Sequence, residues 1–73
     1  MKTFVYEVKS AKGVHIEQLN QELLMIIHDY NSVDYPTKTQ LTSYTNNIIL
    51  TTTNHKLING LIKDKDFIMK EIR

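Results

Sequence analysis

The sequence predicts an α+β fold with the order β-α-β-β-α, in which a three-stranded sheet has its helices packed on one face. Two observations support this class. The spacing of apolar residues switches repeatedly between a period of two, typical of strands, and a period near 3.6, typical of helices. An Asn-Asn pair also separates two short strand-like runs, which indicates a hairpin.

The first predicted strand runs from Thr3 to Lys9 because apolar and polar residues alternate there. Its predicted core face carries Phe4, Tyr6 and Val8. Its predicted outer face carries Val5, Glu7 and Lys9. A short turn follows, in which Gly13 is free to adopt a positive φ.

The first predicted helix runs roughly from His15 to Asn31. Its apolar residues recur at helical spacing and form one stripe, made of Ile16, Leu19, Leu23, Ile26, Ile27 and Tyr30. Leu24 falls at the edge of this stripe, and Met25 projects through the polar side. The next stretch, residues 31–39, is predicted to be a connection because Pro36 cannot occupy a central strand.

The second and third predicted strands, Gln40 to Tyr44 and Ile48 to Thr53, form a hairpin. A two-residue type I′ turn at Asn46-Asn47 would place Tyr44 opposite Ile49, and Thr42 opposite Thr51. The face with more aliphatic bulk is assigned to the core, and it carries Leu41, Ser43, Ile48 and Leu50.

The tail from Lys56 to Ile72 has two helical interpretations. One straight helix would place Lys65 in the middle of the apolar stripe. Two short helices with a break near Lys63-Asp64 avoid this conflict and let Phe67 turn inward, so this interpretation is favoured. Asn54 is the predicted N-terminal cap of the first helix, and Asp64 that of the second.

Composition indicates one small domain over residues 1–73. The chain has no cysteine, which excludes disulfides and thiolate metal sites, so self-association is the remaining support for a limited core. We expect a cytoplasmic protein that does not insert into a membrane, because there is no signal peptide and the longest apolar run spans only Leu23 to Ile27.

The residue pattern does not predict catalytic, metal or cofactor chemistry. His15, His28 and His55 have no metal-ligand spacing, and the simplest interpretation is that they are exposed or capping residues. The two glycines lie far apart, so they cannot form a phosphate-binding loop. We therefore expect no cofactor and no enzymatic activity.

Two surfaces are predicted to bind a partner. The first is the outer sheet face, where the candidate residues are Val5, Thr42, Tyr44, Ile49 and Thr51. The second surrounds Leu24 and Met25 on the first helix, since methionine adapts to varied partners.

The leading functional hypothesis is a non-enzymatic interaction or accessory protein that acts by protein–protein binding, encoded by a bacterium, a phage or a mobile element. A homodimer is favoured over a monomer. One alternative is a small nucleic-acid-binding protein that uses the open sheet face; the net charge of +1 and the single arginine, Arg73, argue against it. A second alternative is a small enzyme or toxin with a histidine as general base.

Overall fold

A computed structural model of the protein describes residues 2–31 and 39–72. The predicted connection around Pro36 lies largely outside the described residues. The elements, in chain order, are β1 (Phe4–Ser10), α1 (Ile16–Asn31), β2 (Thr39–Ser43), β3 (Ile48–Thr52), α2 (His55–Lys63) and β4 (Phe67–Glu71).

The strands form one four-stranded sheet in the order β2-β3-β1-β4, and every neighbouring pair is antiparallel. β1 and β2 are therefore parallel with β3 between them, and β3 and β4 are parallel with β1 between them. Two interleaved split βαβ units of this kind make up the ferredoxin-like arrangement. This arrangement hosts many unrelated functions, so it does not identify an activity by itself.

Both helices pack on one face of this sheet. Side chains from both helices and from three strands form the buried core, which consists of Val8, Leu19, Leu23, Ile27, Ile48, Leu50, Leu57, Ile58, Leu61 and Phe67. The α+β class and the placement of the helices on one face are confirmed. The predicted inner faces of β1 and of the hairpin are also confirmed, because Val8, Ile48 and Leu50 are fully buried.

The ends of α2 agree with the prediction. The Asn54 side-chain oxygen accepts hydrogen bonds from the backbone N–H groups of Lys56, at 3.0 Å, and Leu57, at 3.2 Å, as an N-terminal cap does. The helix ends at Lys63, and the backbone N–H of Asp64 donates to the Leu61 carbonyl at 3.2 Å. The predicted cap at Asn54 and the predicted break after Lys63 are both confirmed.

The prediction of a three-stranded sheet is wrong, because the segment after the break is a fourth strand and not a second short helix. Asp64 is not the N-terminal cap of a second helix; it is the C-cap of α2. Its carboxylate accepts from the backbone N–H of Asp66 at 2.9 Å and closes a turn. The chain then pairs with β1 over the whole of β4. This pairing satisfies the backbone of the segment and buries Phe67, which turns inward as predicted.

The predicted hairpin register is also wrong. Ser43 lies opposite Ile48, and Thr42 lies opposite Ile49, so neither of the two predicted cross-strand pairs forms. The Tyr44 N–H donates to the Asn47 carbonyl at 2.8 Å across a turn that lies one residue earlier than predicted. A type I′ turn needs positive φ at its central residues. Within the described ranges only Gly13 has such a φ, at 72°.

The loop between β1 and α1 is held by the Ser10 hydroxyl and by Lys12. The Ser10 hydroxyl accepts from the backbone N–H of Lys12 at 3.1 Å. The Lys12 ammonium lies 3.6 Å from a Glu22 oxygen and 3.5 Å from an Asp66 oxygen. Desolvation opposes the charged form of Lys12, but the attraction of Asp66 and Glu22 outweighs it and raises the pKa of Lys12.

The two helices approach each other closely at Gly60 of α2. A Cβ atom at this position would lie 3.1 Å from Cζ of Tyr30 and nearer still to its hydroxyl. The absence of a side chain at Gly60 therefore leaves room for Tyr30, the last member of the apolar stripe predicted for α1.

Candidate functional site

The outer face is the face of the sheet opposite both helices. β-Strand side chains alternate between faces, and residues paired across antiparallel strands share a face. The observed registers therefore place on the outer face Gln40, Thr42, Ile49, Thr51, Val5, Glu7, Lys9, Ile68, Lys70 and Ile72, with Tyr44 at the hairpin end. All the residues predicted for the first binding surface lie together on this face.

The central rows of the outer face combine apolar and charged side chains. One row crosses the four strands as Thr42, Ile49, Glu7 and Lys70. The adjacent row contains Gln40, Thr51, Val5 and Ile72. Ile72 joins it because its N–H donates to the Val5 carbonyl at 2.8 Å, which continues the β1–β4 pairing.

Large apolar side chains on the outer face remain accessible to solvent. Tyr44 is 57% exposed, and Ile68 and Ile72 are each 53% exposed. Val5 and Ile49 are half-buried between them. Exposed apolar residues scattered singly are ordinary, whereas large contiguous patches mark interaction surfaces. Along β4 and its continuation, the exposed isoleucines Ile68 and Ile72 flank Lys70. Full burial of one isoleucine contributes about 1.5–3 kcal/mol, so a partner that covered this face would gain stability.

Glu7 occupies the centre of the outer face in a fixed position. The Asn47 side-chain N–H donates to one carboxylate oxygen of Glu7 at 2.7 Å. The Lys9 ammonium lies 3.9 Å from the other oxygen. Lys70 stands directly opposite Glu7 on β4. A single carboxylate with a defined orientation therefore lies between two lysines on an otherwise apolar and hydroxyl-bearing surface.

The second predicted surface lies on the other layer of the molecule. Leu24 and Met25 belong to α1 and are 45% and 70% exposed, respectively. Because α1 covers the inner face of the sheet, these residues point away from the outer face. The two predicted surfaces are thus separate, and one flat partner cannot cover both at once.

Sequence reasoning missed the outer-face residues of β4 and its continuation, Ile68, Lys70 and Ile72. The tail was interpreted as helical, and in a helix the two isoleucines would join the stripe that packs on the core. A signal was present, since Ile68, Lys70 and Ile72 recur with a period of two, as outward residues of a strand do.

The histidines do not gather at a common site. His15 precedes α1, His28 lies in the last turn of α1, and His55 begins α2; all three are exposed. Within residues 2–31 and 39–72, no three His, Asp or Glu side chains come together in a group that could hold a metal ion. In the same ranges, no helix is both long and apolar enough to cross a membrane.

A shallow cleft of about 430 Å³ opens beside the turn of the hairpin, and its lining includes Lys9, His15, Thr45 and Asn46. Throughout the described part of the chain, every buried side-chain nitrogen and oxygen has a hydrogen-bond partner. No unpaired polar atom in those residues therefore points to a ligand for the cleft.

Comparison of the chain with protein-family models, with curated proteins and with solved structures finds no match.

Proposed function

We propose that this chain is a small non-enzymatic interaction protein that binds a protein partner through its outer face. The observation that carries the proposal is the accessible apolar group on the sheet face that no described helix covers. This group consists of Val5, Tyr44, Ile49, Ile68 and Ile72.

The chemistry of the face suits a protein surface. Isoleucine and valine are stiff, β-branched side chains, and here they project from a hydrogen-bonded sheet, so little conformational entropy is lost when a partner covers them. Thr42 and Thr51 lie among them and can donate or accept hydrogen bonds at the border of an interface. Apolar centres with polar borders are typical of protein interfaces.

The same face is poorly suited to nucleic acid. Sheets that bind RNA stack bases on aromatic side chains of their strands, and phosphate binding needs clustered lysines and arginines. On the central strands β1 and β3, the outer positions instead hold Val5, Glu7, Lys9, Ile49 and Thr51, with one lysine and no aromatic side chain among them. The carboxylate of Glu7 lies in the middle of this surface, where it would repel a phosphate backbone.

Site-specific photo-crosslinking tests the proposal. A photoreactive phenylalanine analogue would replace Tyr44 on the outer face in one variant and Ile62 on α2 in a matched control, because both positions are well exposed. After irradiation in cells that express the protein, we expect adducts of discrete mass from position 44 and not from position 62. Gel electrophoresis and mass spectrometry would identify the adducts.

Specificity is tested by adding Ile49→Asp to the variant that carries the crosslinker at position 44. A buried aspartate without a partner is costly in an interface, so the adducts should be lost while the circular dichroism spectrum is retained. The proposal fails if position 44 yields no adduct, or if its adducts persist with Ile49→Asp.

A further inference from the structure

We infer that the outer face binds a second copy of this chain, in a two-fold symmetric dimer with the two sheets face to face. This inference rests on the proposed function, since it names the partner of the same surface. The outer face carries one carboxylate, Glu7, and two lysines, Lys9 and Lys70, so the Glu7 of each copy can meet a lysine of the other.

Glu7 has lysine neighbours in two directions. Lys70 lies opposite it on β4, in the same row, and Lys9 lies two residues further along β1 on the same face. A two-fold axis in the plane between two sheets brings each surface against an identical one. Displacement of the sheets by one strand places Glu7 against the partner's Lys70, and displacement along the strands places it against the partner's Lys9.

The arrangement that stacks Glu7 on the partner's Glu7 is disfavoured because it opposes like charges in a partly desolvated interface. The displaced arrangements form the opposite-charge contact twice, once from each copy. Glu7 is already oriented for this contact, because the Asn47 side-chain N–H donates to one of its carboxylate oxygens at 2.7 Å. The lysines are more adaptable, and the Lys9 side chain is 51% exposed.

The remaining properties of the chain are compatible with self-association. Its net charge of +1 produces little repulsion between copies. Exposed apolar side chains of the outer face are removed from water wherever the two faces overlap, and Ile68 is covered in both displaced arrangements. A chain of 73 residues with no disulfide has a limited core of its own, and dimerisation adds apolar burial to it.

Charge reversal gives a test that does not depend on the register of the dimer. Glu7→Lys makes the charged residues of the face all positive, and the double variant Lys9→Glu/Lys70→Glu makes them all negative. We expect wild type to form a dimer of twice 8.6 kDa and each variant alone to be monomeric by light scattering. Mixed in equal amounts, the two variants should form a dimer that dissociates as salt is added.

Two further variants serve as controls. Lys56→Glu reverses an exposed charge on α2, away from the outer face, and should leave the dimer intact. Glu7→Lys loses the hydrogen bond from Asn47, and this variant could fail to fold for that reason. Ile68→Glu provides a second test of the same face. Because Ile68 is exposed, its replacement should give a folded monomer.

The inference is overturned if wild type is monomeric at every concentration and the mixed variants do not associate. It is also overturned if wild type is a dimer that the outer-face variants do not weaken, since the interface would then lie elsewhere. A monomeric wild type that still crosslinks from position 44 to a different protein would reject the dimer and keep the proposed function. The absence of any adduct at position 44 would reject both.

Discussion

At the scale of single residues, Thr52 connects three parts of the fold through one buried hydroxyl. It is fully buried and is the buried polar residue of the described core. Its hydroxyl lies 2.8 Å from that of Thr39 on β2 and accepts from the backbone N–H of Asn54 at 3.1 Å. These two contacts tie the edge strand β2 and the start of α2 to the C-terminal end of β3.

We expect Thr52→Val to lower the free energy of unfolding by about 1–2 kcal/mol, because it keeps the shape of the side chain but leaves the Asn54 N–H and the Thr39 hydroxyl without this partner. Urea denaturation would measure the change. Thr42→Val is the matched control, since Thr42 is exposed on the outer face and its replacement should change stability by less than about 0.5 kcal/mol. Equal losses in the two variants would contradict the role given to Thr52.

At the scale of elements, local signals predicted most of the secondary structure but not the last strand. The apolar stripe of α1, the Asn54 cap and the end of α2 depend on neighbouring residues, and the sequence contains that information. The segment from Phe67 to Ile72 is different, because its apolar residues fit both a short helix and a strand. Pairing with β1, far away in sequence, decides between the two.

The hairpin illustrates why a wrong register still assigned its residues to the correct faces of the sheet. The predicted and observed pairings differ by two residues, and strand side chains alternate with a period of two. Leu41 and Leu50 therefore face the core, and Thr42 and Ile49 face outward, in either register. The turn could not be located from the Asn46-Asn47 pair because the observed loop does not use the positive φ that makes such a pair favourable.

The cap of α2 leads to a prediction at this scale. Asn54→Ala removes the acceptor for two backbone N–H groups and should lower the free energy of unfolding by about 1 kcal/mol. Thermal and chemical denaturation followed by circular dichroism would measure it. Asn59→Ala, at an exposed position inside the same helix, is the control and should be neutral or slightly stabilising. If Asn59→Ala costs as much as Asn54→Ala, capping is not the cause.

At the scale of the whole molecule, the topology determines which surface is available for binding. Both helices follow a strand and return across the same face, so the sheet has one packed face and one open face. The full strand order could not be predicted because it includes β4. This strand lies at the edge of the sheet beside β1 and adds Ile68 and Ile72 to the open face. Sequence reasoning consequently assigned the β2–β3 side of the outer face and missed the β4 side.

The measurement that tests the central claim most directly is a dilution series recorded by NMR on protein labelled at the isoleucine δ1 methyl groups. Ile49, Ile68 and Ile72 report on the outer face, while Ile62 on α2 is 52% exposed and provides an internal control. If the outer face binds a second copy, the methyl signals of the three outer-face isoleucines should shift or broaden with concentration, and that of Ile62 should not change. Concentration-independent signals from all four methyl groups, or a change confined to Ile62, would contradict self-association through the outer face.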